Sequence, residues 1–152
     1  GGCHVHEKFS VQAIATLKRR YPDALVMAHL ECKAPVLAMA DVKGSTAAML
    51  TYAQAHPEQK QFIVATEAGI LFELQRRCPG QEFIPVPPEV SECEQLDSTV
   101  PTSCTCNECE FMKLNTLEKI IAALEHLQPE VTIPEDIARD AVKPIERMLE
   151  LS

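Results

Sequence analysis

Apolar residues in the N-terminal half recur first with the period of a helix and then in short unbroken runs. Over Glu7–Tyr21 the apolar positions are spaced three and four residues apart, which predicts an amphipathic helix. Pro22 ends that helix because proline cannot continue the ladder of backbone hydrogen bonds. The apolar run Ala24–Ala28 that follows is typical of a short buried strand.

Helical and strand patterns then alternate as far as residue 86. They predict helices at Pro35–Met39, Ser45–Ala55 and Thr66–Arg77. They predict strands at Gln61–Ala65 and Glu82–Val86. Pro85 places the last strand at a sheet edge, since it has no N–H to donate. Strands that alternate with helices pair in parallel through right-handed crossovers. The fold class predicted is therefore α/β, a three-layer αβα domain with a short parallel sheet.

The pattern changes after the third strand. Residues 81–110 contain no Lys or Arg, and we interpret them as an irregular connecting arm. Helical periodicity returns over Leu114–Leu127 and again over Pro134–Leu151, with Pro134 suited to a first helical turn.

Composition excludes several classes of function. A hydrophobic content of 46% with 24% charged residues is ordinary for a soluble globular protein, and no apolar run approaches the roughly 18 residues that cross a membrane. The formal charge of -8 argues against a nucleic-acid surface, which requires a basic face. The odd number of cysteines, seven, favours a reducing compartment, so we expect a cytoplasmic protein. The chain does not begin with Met, and we treat it as a piece of a longer protein.

Polar side chains follow the first predicted strand. His29 and Glu31 alternate out of its carboxyl end, where parallel sheets bind their ligands. An imidazole and a carboxylate in one cleft can orient a substrate or move a proton. The alternative is that His29 is an ordinary structural histidine, satisfied by its own hydrogen bonds.

A Gly-Ser-Thr turn opens the predicted helix at Ser45. Free backbone N–H groups and the hydroxyls of Ser45 and Thr46 can hold a carboxylate or phosphate there. Ser and Thr at this position are also common helix caps, so both interpretations stay open.

Three of the cysteines lie within the stretch "SCTCNECEFM", residues 103–112. The spacing of Cys104, Cys106 and Cys109 is compatible with zinc, with an iron–sulfur cluster completed by a distant cysteine, or with a reversible disulfide between Cys106 and Cys109. Cys3, in a glycine-rich turn before a helix, is a further candidate thiolate.

The remaining histidines and cysteines carry weaker signals. His4 and His6 in "HVHE" are typical of surface or capping positions. No ligand spacing connects Cys32, Cys78 and Cys93, which we interpret as small buried or incidental thiols.

Taken together and in order, the segments "GGCHVHEKF", "AHLEC", "ADVKGST", "FIVATEAGI", "CNECEFMKLNTLEKI" and "AVKPIERML" resemble quinolinate synthase, an iron–sulfur enzyme of NAD biosynthesis. The resemblance implies a longer protein with three similar α/β domains around a central cluster. It implies that residues 1–22 are the end of the middle domain with a linking helix. Residues 23–152 would then be the C-terminal domain, including the arm at 81–110 and the last helices.

The resemblance also implies a [4Fe-4S] cluster held by three cysteines, with one iron open to substrate. Cys3 and Cys109 match two of these ligands, and the third would come from the N-terminal part that this chain lacks. Cys104 and Cys106 would then not be ligands. The rival interpretation is a non-catalytic zinc module that uses Cys104, Cys106 and Cys109.

The implied reaction condenses iminoaspartate with dihydroxyacetone phosphate to give quinolinate. By resemblance, His29, Glu31, Ser45 and Thr46 bind these small anionic substrates, although Leu30 replaces the proline usual in the "AHPEC" loop. Glu31 would be the acid/base, and His29 would hold a carboxylate or carbonyl. Neither a nucleic acid nor a membrane is an expected partner, and the oligomeric state stays open.

Overall fold

The computed structural model describes residues 2–87 and 107–151. The chain forms two compact units, Gly1–Glu110 and Phe111–Ser152. Predictions for Cys93, Cys104 and Cys106 fall outside the described residues. The predicted division at residue 22 concerns domains of the full-length protein and stays a prediction.

The first unit is an α/β domain in which short helices alternate with parallel strands. Its helices are α1 (His4–Glu7), α2 (Val11–Arg20), α3 (Ala34–Met39), α4 (Thr46–Ala55) and α5 (Ile70–Arg77). Its strands are β1 (Leu25–His29), β2 (Val42–Gly44), β3 (Gln61–Ala65) and β4 (Glu82–Pro85). The strands pair in the order β2-β1-β3-β4, and each neighbouring pair is parallel.

Two apolar clusters fill the space between this sheet and its helices. The first joins α2 and α3 to the sheet, and the second joins α4 and α5 to it. Val26 belongs to the first cluster and its neighbour Met27 to the second, and Ile63 and Phe62 divide in the same way. Successive side chains of a strand point to opposite faces, so the clusters lie on opposite faces of the sheet. The predicted three-layer αβα architecture is confirmed.

The register brings the carboxyl ends of the strands to one edge of the sheet. His29 at the end of β1 pairs with Gly44 at the end of β2. Ala28 pairs with Ala65 at the end of β3, and Val64 pairs with Pro85 at the end of β4. Residues that directly follow these strands are therefore neighbours in space.

The structure confirms three predicted strands and corrects two helix starts. The strand at Glu82–Pro85 lies at the sheet edge, as Pro85 predicts. The helix predicted over Glu7–Tyr21 is wrong at its start, because the side chain of Ser10 accepts a hydrogen bond from the N–H of Ala13 and caps α2 there. The helix predicted from Thr66 begins only at Ile70, since residues 66–69 form a turn.

The second unit consists of helices. They are α6 (Glu110–Lys113), whose first residue belongs to the first unit, α7 (Leu117–His126) and α8 (Glu135–Glu150). Both predicted helices are present. Thr116 caps α7 through its side chain, so the helix predicted from Leu114 begins three residues later, and Pro134 precedes α8. None of the described side chains in these three helices is buried. The unit therefore derives little stabilisation from a core of its own.

None of the helices in residues 2–87 and 107–151 combines the length and the apolar character needed to cross a membrane.

Candidate metal-binding and catalytic site

Polar and thiol side chains converge where β1, β2 and β3 end. His29 is the last residue of β1, Ser45 follows β2, and Thr66 follows β3. Glu31 comes two residues after the end of β1. The fold thus assembles at one edge the residues that the sequence places directly after each strand.

His6 lies at the centre of this group. Its Nε2 is 2.9 Å from the hydroxyl of Thr66, and its ring stacks on that of His29 with centroids 4.2 Å apart and planes 11° from parallel. Only 6% of the residue is exposed. The expectation of a surface or capping role for His6 is therefore wrong. Its imidazole, which projects from α1, packs against the ends of β1 and β3.

The carboxylate of Glu31 contacts the Nδ1 atoms of both stacked imidazoles. Its Oε2 is 3.3 Å from Nδ1 of His6 and 3.5 Å from Nδ1 of His29. The contact with His6 is close but not aligned as a hydrogen bond, so the buried Nδ1 of His6 has no hydrogen-bond partner among the described residues. With 46% of its side chain exposed, the carboxylate of Glu31 remains accessible to a small molecule.

Burial dominates the charge state of His6. Loss of hydration lowers the pKa of this imidazole, and the neighbouring His29 lowers it further, while Glu31 and Glu67 act in the opposite direction. A neutral imidazole keeps one nitrogen lone pair free to accept a hydrogen bond or bind a metal.

Cys3 completes a set of potential metal donors. Cys3, His6 and Glu31 each offer one ligand atom, and these atoms lie within 4.8 Å of one another. Cys3 precedes α1 in an extended conformation, and its thiol is free and half-buried. Thiolate, imidazole and carboxylate are all established metal ligands.

Cys109, the second predicted cluster ligand, is attached to the same edge of the sheet. Its thiol is free and half-buried, and its backbone N–H donates to Oε1 of Glu67 over 3.3 Å. Glu67 directly follows Thr66, which contacts His6. The backbone of Cys109 is therefore held by the turn after β3, whose first residue, Thr66, contacts His6.

The surroundings of the other described cysteines make their thiols poor candidates for metal ligands. Cys32 and Cys78 are buried, as expected. Burial raises the pKa of the Cys32 thiol to about 11, and its Sγ donates to the carbonyl of Ala65 over 3.5 Å. A thiol held protonated in this way is a poor metal ligand.

The Gly44-Ser45-Thr46 turn lies beside His29. The Oγ of Ser45 accepts from the N–H of Ala48 over 3.2 Å, so Ser45 is the cap of α4. A Cβ on Gly44 would lie 2.8 Å from the Cβ of Ala48, and glycine thus lets α4 start close to the strand. Ser45 is exposed and Thr46 half-buried; their contact with substrate stays a prediction.

Sequence reasoning missed His6, Thr66 and Glu67 as parts of the site. The turn after β3 follows a buried strand, where parallel sheets bind their ligands, but the sequence pattern predicts that its residues start a helix. His6 and Thr66 are 60 positions apart, and no local pattern reports such a contact.

The fold and the site together define a class: an α/β domain that carries thiol, imidazole and carboxylate donors at the carboxyl ends of its parallel strands. The family model described as Quinolinate synthetase A protein matches residues 1–150. The chain belongs to the quinolinate synthase family.

Curated relatives agree with that assignment. The chain is 50% identical to the quinolinate synthase of Chloroherpeton thalassium, 48% to that of Thermosynechococcus vestitus and 45% to that of a Synechococcus strain. Each match covers 100% of this chain and 44% of the relative. The chain thus spans less than half the length of these relatives.

Proposed function

We propose that this chain is part of a quinolinate synthase, which condenses iminoaspartate with dihydroxyacetone phosphate to give quinolinate, phosphate and water. The observation that carries the proposal is the convergence of Cys3, His6 and Glu31 within 4.8 Å at the carboxyl edge of the sheet, in a chain of this family. Family membership alone does not indicate which residues form the site, and this convergence supports the choice of Cys3 and Glu31.

The donor chemistry fits an iron–sulfur cluster. Cys3 and Cys109 would hold a [4Fe-4S] cluster, with a third cysteine from the rest of the full-length protein. Both thiols are free and half-buried, and thiolates are the usual ligands of such clusters. When bound, the cluster supplies an iron that acts as a Lewis acid toward a substrate oxygen.

Glu31 is the proposed acid/base of the reaction. Its carboxylate is half-exposed and lies within 3.5 Å of two imidazoles, so it can reach a small substrate while its orientation is restrained. His29 holds a carboxylate or carbonyl of the substrate. His6, fixed by Thr66, is a positioning residue for Glu31.

The start of α4 is the proposed site for the anionic groups of the substrate. Backbone N–H groups at a helix N-terminus attract negative charge, and Ser45 and Thr46 add hydroxyls beside the end of β1. This local positive potential allows small anionic substrates to bind although the overall charge is -8. The overall charge still argues against a nucleic-acid partner.

We also infer that the full-length protein acts in the cytoplasm. The four described cysteines, Cys3, Cys32, Cys78 and Cys109, are all free thiols, as a reducing compartment maintains them.

The proposal predicts the metal content of the full-length protein purified without oxygen. We expect about four irons and four acid-labile sulfides per chain, as a [4Fe-4S] cluster requires, and no stoichiometric zinc. Zinc without sulfide would contradict the proposal and favour a structural zinc module, because thiolate, imidazole and carboxylate donors also suit zinc.

A further inference from the structure

Three hydrogen bonds hold the segment Asn107–Cys109 against the sheet edge. The N–H of Ala68 donates to the carbonyl of Asn107 over 3.1 Å. The side-chain amide of Asn107 donates to the carbonyl of Val86, and the N–H of Cys109 donates to Glu67. The segment is thereby attached both to the turn after β3 and to the residue after β4.

Glu67 uses both of its carboxylate oxygens in this arrangement. Oε1 accepts from Cys109 over 3.3 Å, and Oε2 accepts from the N–H of Gly69 over 2.7 Å. A Cβ on Gly69 would lie 2.7 Å from that same oxygen, so glycine permits the approach. The two backbone donors contact different oxygens of Glu67, whereas a glutamine in its place would present an NH2 group to one of them.

Asn107 is committed to the same task. Only 3% of the residue is exposed. Its side-chain Nδ2 donates to the carbonyl of Val86, and its backbone carbonyl accepts from the N–H of Ala68. Its buried side-chain Oδ1 has no hydrogen-bond partner among the described residues. A buried side chain bonded to backbone in this way is placed to fix the path of the chain and not to meet a substrate.

We propose that Glu67 and Asn107 are positioning residues that hold Cys109 in place for the cluster before any metal arrives. The inference rests on the proposed function, since Cys109 is the ligand it assigns. A preordered ligand loses less conformational entropy when the metal binds. Partners that orient metal ligands typically change metal affinity by about 10- to 100-fold.

The test uses the full-length protein, freed of metal, with site-resolved alkylation by iodoacetamide followed by mass spectrometry. In Glu67→Gln we expect Cys109 to react several-fold faster, while Cys3 in the same molecule keeps its rate. Asn107→Ala is the second variant, and we expect the same selective change. The matched control is Glu73→Gln, whose carboxylate accepts from Arg76 and Arg77 on α5 and, among residues 2–87 and 107–151, is outside the segment that holds Cys109.

Alkylation rates are compared on the alkaline plateau, the pH range in which a further rise in pH no longer changes the rate. A plateau rate of Cys109 that is the same in Glu67→Gln as in the wild type would overturn the inference. Equal acceleration of Cys3 and Cys109 would also overturn it, because that result indicates general loosening.

The cluster-loaded protein gives a second readout. We expect a chelator to remove iron from Glu67→Gln about 10-fold faster than from the wild type; equal rates would contradict the proposed role. A wild type that holds no iron would defeat the proposed function itself. The alkylation comparison still decides whether Glu67 and Asn107 hold Cys109, because it uses protein without metal.

Discussion

Replacing Glu31 with Gln in the full-length enzyme is expected to lower kcat by about 10²- to 10⁴-fold, the usual contribution of a positioned acid or base. Glutamine has nearly the same shape and can still contact His6 and His29, but it cannot carry a proton between substrate groups. Folding and cluster content should therefore be retained while turnover is lost.

The measurement is the rate of quinolinate formation by variants with equal iron content. The matched control is Glu58→Gln, an exposed glutamate that follows α4 and lies outside the proposed site; it should leave kcat unchanged. A kcat of Glu31→Gln within twofold of the wild type would remove this residue from the acid/base role.

Replacing Cys109 with Ala is expected to abolish cluster binding. Two thiolates remain in the proposed ligand set, and we expect bound iron and sulfide to fall by about tenfold or more, since loss of orienting partners alone costs up to about 100-fold in affinity. Activity should disappear with the cluster. The substitution removes a half-buried thiol that is not part of either apolar cluster, so the fold should persist.

Iron, sulfide and visible absorbance of anaerobic protein report the result. Cys78→Ala is the matched control, because Cys78 is a buried thiol in the second apolar cluster and should leave the iron content unchanged. Retention of full iron and sulfide by Cys109→Ala would show that another residue is the ligand.

Much of the sheet could be predicted because its strands are buried on both faces. Such strands appear as continuous apolar runs, as in Leu25–His29 and Gln61–Ala65. The strand at Val42–Gly44 was missed because it has three residues and its central Lys43 is exposed. The hydroxyl of Ser10 caps α2, so the helix starts later than the apolar spacing predicts. Apolar spacing alone does not show such a cap.

The positions of His29 and Glu31 could be predicted because both residues leave the carboxyl end of β1, whereas their roles in the site stay a prediction. The position of His6 could not be predicted, because its burial depends on Thr66, 60 positions away. The assignment of Cys109 rather than Cys104 or Cys106 as a ligand came from the family resemblance and stays a prediction.

The most direct test of the account is whether the full-length protein makes quinolinate. Anaerobic, cluster-loaded enzyme is supplied with iminoaspartate and dihydroxyacetone phosphate, and quinolinate and released phosphate are quantified. We expect equal amounts of the two products, because each condensation releases one phosphate. Protein that carries a full cluster yet forms no quinolinate would contradict the proposed function.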